Sequence, residues 1–556
     1  VNQKYLAMQK LLWSCRLTIG LMLFPSLLFS QKLNKYWVEF TDKNNSPYCT
    51  CRPAEFLSAR SLDRRARAGI AVVENDLPVT TAYVNALKAN GVQLHTTSRW
   101  LNTATVIADT GAVAGLKKLA FVKKITYIGP HLRYRNPPNR PVKKRVSLAA
   151  IPKVEGAGYW GYAALQNNLL GVPLLHLAGH RGDGIWIAVM DGGFTHVDTI
   201  PLFDSIALNH RLFVGHDFVE HDEALYESAQ HGTSVLSTMA SDLPGYFVGT
   251  APHATYFLLK TEDTGGEYPV EEANWVAGAE WADSAGVDII NASLGYTQFN
   301  DTTLGHRYRE LDGRTAIGSR GASIAATKGM IICNSAGNEG DGTWRYVGAP
   351  ADAPGLIAVG ATDYEGKRAL FSSFGPTSDG RIKPDLMAPG QEIVTAGNVG
   401  VQLGTSSGTS VASPMLAGAL ASLWSAYPDK TAEELLQAVF ESADQWLEPD
   451  NARGYGLPNM TEAWLRLGDF GPGGVASDPV GGTLTFLVTG KDIPHDPVFE
   501  LRDIFGKKIT TAKIVLLRNE ISTLTFSGLS NLRSGIYTAV ALGKEEVVRL
   551  MGTVKQ

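Results

Sequence analysis

The sequence predicts an α/β protein: a parallel sheet with helices over both faces, an α+β unit before it and a β module after it. Three observations predict this. Between about residues 155 and 468, short apolar runs alternate with helical stretches. The strand runs are continuously apolar, as strands covered on both faces are. Two breaker-rich segments bracket the region, "LRYRNPPNRPVKKR" at 132–145 and "GDFGPGGVASDP" at 468–479.

At 556 residues the chain is long enough for three or four units. It is 44% hydrophobic and 19% charged, which excludes general disorder. A net charge of -4 leaves no basic footprint, so nucleic acid is excluded as a partner class. Residues 1–30 read as an export signal. Lys4, Lys10 and Arg16 precede the apolar run "LTIGLMLFPSLLFS", and cleavage is expected after Ser30. Pro25 and the shortness of the run argue against a membrane anchor. The expected destination is the medium or the cell surface. Of four cysteines, Cys15 lies in the signal and Cys333 in the apolar run "GMIICNSAG", where a small core residue is expected. Cys49 and Cys51 are too few for a closed zinc site, and no disulfide framework is expected.

From 31 to about 130, "KYWVEF", "TAYVNALKANGVQL", "TATVIADTGAVAGLKKL" and "FVKKITYIG" mix strand and helix periods. The stretch 132–145 has six basic residues and no acid, and reads as an exposed, protease-sensitive tether. Beyond it, "GIWIAVM" is a strand, "HGTSVLSTMASDL" a helix, "ATYFLLK" a strand and "PVEEANWVAGAEWADSAG" a helix. Strand "VDIINAS", helix "GASIAATKG", strands "MIICNSA" and "LIAVGAT" and helix "GTSVASPMLAGALASL" follow. After the second linker, "GTLTFLVTG", "PVFELRDIFGKKIT", "STLTFSGL" and "SGIYTAVAL" alternate as short strands of a small sandwich.

Ligands of such sheets bind beyond the carboxyl ends of the strands. Asp191 ends the strand "IAVMD", His231 opens the helix in "QHGTS", and Ser410 stands at the entrance of a third segment, "GTSVAS". Singly, an acid there is a turn former and a histidine or serine a helix cap. Together they can do more. A serine hydroxyl becomes a nucleophile when a base reaches it and an acid orients that base. The chain order Asp, His, Ser separates this set from other hydrolase arrangements, and Ala412 breaks the G-x-S-x-G elbow.

The chain resembles the subtilisin-like serine proteases. The resemblance is carried by "IAVMDGG", "HGTSVLSTMA", "NASLG", "SAGNEG", "FSSFGP", "KPDLMAPG" and "GTSVASP", in the family's order across 155–468. It implies the subtilisin-like fold and a secreted serine endopeptidase acting on protein or peptide substrates. By the same resemblance Ser410 is the nucleophile, His231 its base, Asp191 the orienting acid and Asn338 the oxyanion amide. Ser293, Leu294 and Gly295 would pair with an extended substrate. Ser335, Ala336 and Gly337 would wall the primary pocket. Gly348 would be its floor, open to a bulky apolar side chain unless Trp344, Arg345 and Tyr346 narrow it.

The chain departs from the family pattern at Gly192, Ser234, Tyr296 and an insertion at 299–320. The loop "SDLPGYFVG" does not reproduce the family's calcium loop. No cofactor is expected in the chemistry, and a structural calcium is compatible with the resemblance but has no assigned ligands. Residues 31–145 resemble the family's pro-segment, a folding aid and inhibitor. Residues 476–556 resemble the C-terminal sorting domain of type IX secretion, through "LRDIFGKKI", "SGIYTAVA" and "TVKQ". That would make export machinery a partner; the alternative is an accessory β-sandwich. Two rival functions remain at this point: an inactive secreted binding or adhesion protein on a protease fold, and an esterase.

Overall fold

A computed structural model describes residues 32–132, residues 158–467 apart from 223, 227, 228 and 398–401, and the strands within 475–554 with a few adjoining residues. The expected signal and most of the two linkers lie outside the described residues. So does the sequence between 145 and 155.

The first unit is a four-stranded antiparallel sheet in the order β2-β3-β1-β4. Its strands are β1 (Asn34–Phe40), β2 (Gln93–Ser98), β3 (Thr103–Ala108) and β4 (Val122–Pro130). The period-two alternation of β1 divides the two faces. Tyr36, Val38 and Phe40 point into a core closed by Leu87 of helix Thr81–Ala89 and by Val113 and Leu116 of helix Thr110–Leu116. Trp37 points the other way and packs with Ile128 on Val270 and Ala273 of the next unit. A further helix, Ala59–Arg67, was not expected. Its buried face is Ser61, Arg64 and Arg65, so it carries no apolar periodicity to read. Cys49 and Cys51 form a disulfide, where no framework of bridges was expected.

The central unit holds a seven-stranded parallel sheet in the order β13-β12-β11-β10-β5-β9-β6. In chain order these are β5 (Trp186–Asp191), β6 (Leu212–Asp217), β9 (Thr255–Lys260), β10 (Ile289–Ala292), β11 (Ile331–Ser335), β12 (Ile357–Thr362) and β13 (Leu386–Pro389). The short hairpin β7 (Asp242–Leu243) and β8 (Phe247–Val248) falls in the "SDLPGYFVG" loop. One face of the sheet is covered by helices His231–Ala240 and Thr409–Ala426 and the other by Val270–Ala285 and Ile317–Ala326. Cys333 is buried among them, as its apolar surroundings require, and burial pushes its thiol pKa well above the usual value. The helix Val270–Ala285 can lie close to β5 because Gly278 faces it. A Cβ there would come within 3.1 Å of Met190 Cε and Thr261 Cγ2.

The last unit is two antiparallel sheets, β16 (Val475–Asp478), β17 (Thr483–Thr489) and β20 (Ile521–Phe526) in one, and β18 (Val498–Asp503), β19 (Lys508–Lys513), β21 (Gly535–Leu542) and β22 (Val547–Val554) in the other. They meet where β16 and β17 approach β22 and where β19 approaches β20.

The first unit docks on the helix Val270–Ala285. Asp283 in its last turn accepts from Arg64 (2.6 Å), Arg65 (2.7 Å) and Arg99 (2.6 Å). Glu280 accepts from the Ser98 hydroxyl (2.5 Å) and from the amides of Arg99 (2.9 Å) and Trp100 (3.0 Å). Arg60 pairs with Asp288, and Asp76 joins Arg65 to Lys328. The chain leaves this unit at Leu132 beside the loop 263–268, where Gly266 faces Leu132 Cδ1.

Candidate active site

Parallel strands end at one edge of the sheet, and the helices that follow them start there. Asp191 is the last residue of β5 and His231 the first of its helix. Asp191 is buried. Its Oδ1 accepts from the Gly192 amide (2.8 Å) and its Oδ2 lies 2.8 Å from His231 Nδ1. A carboxylate only accepts, so Nδ1 holds the proton and the Nε2 lone pair faces outward. The His231 side chain is 47% exposed, within reach of a substrate. Asp191 holds the imidazole pKa above its usual value, outweighing the lowering by burial, and Glu262 adds to the effect.

The sign of the pH dependence follows. A general base must be neutral, so kcat/KM is expected to fall on the acid side through a pKa above the ordinary histidine value of about 6.5. A titration of peptide hydrolysis showing an acid limb at or below that value would contradict this electrostatic account.

Ser410 is the second residue of the helix Thr409–Ala426, and no hydroxyl caps that helix. The hydroxyls crowding its entrance are each used differently. Ser406 meets Thr395, and Ser407 accepts from the Glu392 amide. Ser413 donates to Asn291 Oδ1. The Thr409 hydroxyl donates to Asn338 Oδ1 (3.0 Å) and accepts from the Gly337 amide (3.1 Å). The Thr409 amide also donates to Asn338 Oδ1 (2.8 Å), which turns the Asn338 Nδ2 group toward Ser410. Gly408 lies between them: a Cβ there would sit 2.9 Å from Ser410 Oγ and 3.5 Å from Asn338 Nδ2. Its φ of 161° is extended, so the residue is small for close approach and not for a tight turn.

Ser293–Gly295 continues β10. The Leu294 carbonyl is taken by Asn334 Nδ2 (2.8 Å) and the Ser335 hydroxyl (3.1 Å), and Ser293 Oγ donates to the Ser410 carbonyl (2.7 Å). These bonds hold the edges of β10 and β11 to the start of the serine helix. Ala336 is buried and bonds to Val359; Gly337 is left-handed at φ 114°. A Cβ on Gly295 would meet nothing nearer than 3.9 Å, whereas one on Gly348 would come within 2.9 Å of Thr297 Cγ2. The position beside Gly348 is bolted to the strand by paired backbone bonds between Ala349 and Tyr296. Trp344, Arg345 and Tyr346 are occupied by one another and by the insertion: Trp344 packs with Leu311 and Ala316, Tyr346 on Tyr308 and Arg345 over Tyr346.

Sequence reasoning missed Thr409 as the holder of Asn338, and it missed a carboxyl trio beside the site. The Tyr296 hydroxyl donates to Glu262 (2.6 Å), whose oxygens lie within 4.8 Å of those of Glu267 and Glu271. Burial above all, with mutual repulsion, pushes the carboxyl pKa of Glu262 up to about 8. Glu271 accepts from the amides of Asp263 and Tyr268. A second acidic group, near Asp217 and Glu220, is neutralised by Lys260. We assign a cation to neither.

Residues 182–456 match the subtilase family, peptidase S8, and residues 35–144 match the peptidase S8 propeptide domain of Bacteroidota. Subtilisin NAT of Bacillus subtilis subsp. natto is 33% identical over 297 residues, 52% of this chain and 68% of that protein. The chain belongs to the subtilase family. It is a serine endopeptidase preceded by a propeptide domain. The subtilisin of Bacillus pumilus is likewise 33% identical, over 52% of this chain and 94% of its own length. Among solved structures, the MycP3 protease from the type VII (ESX-3) secretion system overlays 56% of this chain and 90% of its own at 23% identity and a TM-score of 0.43.

Proposed function

We propose that this subtilase cleaves peptide bonds through Asp191, His231, Ser410 and Asn338, by way of an acyl-enzyme. The observation that carries the reading is the Asp191–His231 contact, at the same sheet edge where Asn338 is turned toward Ser410. Ser410 Oγ bonds to the scissile carbonyl carbon while its proton passes to His231 Nε2. Asn338 Nδ2 and the Ser410 N–H donate to the oxyanion. Among the described residues, the Thr409 amide goes to Asn338 and those of Val411 and Ala412 to Gly408, which leaves the Ser410 N–H for that task. The C–N bond then breaks as His231 returns the proton to the amine, and water repeats the sequence on the ester. An extended substrate pairs with Ser293–Gly295, its primary side chain between Ser335–Gly337 and Gly348. The chemistry needs no cofactor. Comparing a peptide library with simple esters tests this reading. Hydrolysis of esters alone favours an esterase, and hydrolysis of neither an inactive binding protein.

In the same reading, the chain is made as an exported precursor. The pro-segment 31–145 blocks the site until it is cut; its exit beside the loop 263–268, next to Glu262, supports this. Residues 476–556 are an address for type IX export. A chain ending near Gly468 is then expected to cleave peptides normally when purified, and to stall in the periplasm of a host with that machinery. Normal export of the truncated chain rules the address out, and loss of activity in the purified protein favours an accessory domain.

A further inference from the structure

The contact between pro-segment and catalytic unit contains a pair of histidines in direct hydrogen-bond contact. His95 on β2 is buried, with 7% exposure. Its Nε2 lies 3.2 Å from Asn274 Oδ1 and its Nδ1 lies 3.0 Å from His221 Nε2. The Asn274 amide group donates to the Thr261 carbonyl, so its Oδ1 is the face offered to His95 and can only accept. His95 Nε2 therefore carries the proton and Nδ1 the lone pair, which accepts from His221 Nε2–H. A second proton on His95 would set two N–H groups against each other at 3.0 Å unless His221 shifted its own proton to Nδ1, and in either case it would place a charge in a buried contact.

The surroundings add charge of the same sign. Lys35 is buried on β1, His131 follows β4, and His216 lies 5.7 Å from the His221 ring. Opposing charges come from Asp217 and Glu220, which are engaged by Lys260, from Asp263 and Glu271, which face Lys35, and from Glu280, which is engaged by the 98–100 turn. Burial is the main cause holding His95 well below the usual histidine range, and His216 and His221 are lowered too. His221 has a left-handed backbone, φ 59°, a conformation that costs a non-glycine residue energy and that tends to mark functional positions. A cavity of about 390 Å³ lined by His95, His216, Phe218, His221, Glu280 and Trp281 opens beside the pair and gives protons access.

We propose that the His95–His221 contact is a proton-operated latch: it holds the pro-segment while His95 is neutral and releases it on acidification. The inference goes beyond the inhibitory reading of the pro-segment and rests on that reading for its consequence for activity. The direction follows from linkage. The free pro-segment takes up a proton on His95 near the ordinary value of about 6.5, and the docked one does not. Docking is thus unaffected above that pH and weakens as pH falls below it, by about tenfold per pH unit for one excluded proton. The buried carboxylates of the interface also lose ion pairs in acid, so the pH dependence of the wild type alone does not identify the latch. The histidine variants do.

The test uses the full chain with Ser410→Ala, nicked by trypsin in the basic linker 133–145, with a chelator present. Co-elution of the two pieces is followed from about pH 8 to pH 5, spanning the histidine range. The wild-type pair is expected to lose affinity below about pH 6.5, by about tenfold per pH unit. His95→Gln keeps one donor and one acceptor and takes no proton. It should hold the pieces together about tenfold more tightly one pH unit lower. His221→Gln can turn its amide oxygen toward a protonated His95, and should retain the pieces likewise. Wild-type pH dependence in His95→Gln overturns the latch. If that variant fails to pair at neutral pH, the same result in His221→Gln overturns it. Hydrolysis by nicked enzyme with Ser410 intact is recorded alongside. Separation without a gain in hydrolysis overturns the inhibitory reading and leaves the latch standing.

Discussion

Ser410→Ala is expected to lower kcat by about 10⁶-fold, the scale known for subtilisin itself. The reason is local. Ser410 Oγ is the hydroxyl beside Asn338 Nδ2, at the start of a helix whose dipole favours negative charge. The other hydroxyls of the entrance are engaged with Thr395, Glu392, Asn291 and Asn338 and cannot substitute. Fold should survive, because the Ser293 hydroxyl holds the Ser410 carbonyl and not its side chain. A fluorophosphonate probe should then label the wild type and leave the variant unlabelled. Asn338→Ala is expected to keep the label while kcat falls by about 10²–10³ with little change in KM, again the scale of one oxyanion donor in subtilisin. Equal labelling of Ser410→Ala, or unchanged kcat in Asn338→Ala, would remove the respective residue from the mechanism.

The parts that could be read from the sequence are those whose physics is local. Strands β5, β10, β11 and β12 are buried on both faces, so their apolar runs announced them. Strand β6 lies at the sheet edge with Phe213 and Val214 exposed, and its run "LFVGHD" carries no such signal. Helix Ala59–Arg67 was illegible for a different reason: it buries arginines, whose burial makes sense only with Asp283 and Asp76 opposite. The same limit applies in the active site. Asp191, His231, Ser410 and Asn338 are chemically distinctive within short motifs. Thr409 looks like a helix cap until its hydroxyl is seen on Asn338, and Glu262 looks like a strand-end acid until Tyr296 reaches it from the other side of the site.

Asp283→Ala is expected to act in opposite directions on the precursor and on the mature enzyme. In the precursor, Asp283 is a fully buried carboxylate that receives three arginines. Burial already lowers the Arg64 pKa to about 10, with Asp283 the leading opposing effect. Removing the carboxylate strands guanidinium groups that Asp76 alone cannot satisfy. Breaking one buried pair typically costs about 3–5 kcal/mol, or on the order of 10²–10⁴-fold in affinity for the pro-segment. In the mature enzyme the arginines are gone, and Asp283 sits in the last turn of the helix Val270–Ala285, where a negative charge opposes the helix dipole. There the substitution should stabilise slightly, by about 0.3–1 kcal/mol. Dissociation of the nicked precursor measures the first effect, and thermal unfolding of enzyme matured from the full chain measures the second. A mature enzyme destabilised by as much as the precursor interface would show that Asp283 serves the catalytic unit itself. An unchanged nicked complex would show that the three arginines are held by the rest of the interface. The two signs together would make this helix end a site that the mature fold tolerates and the pro-segment completes.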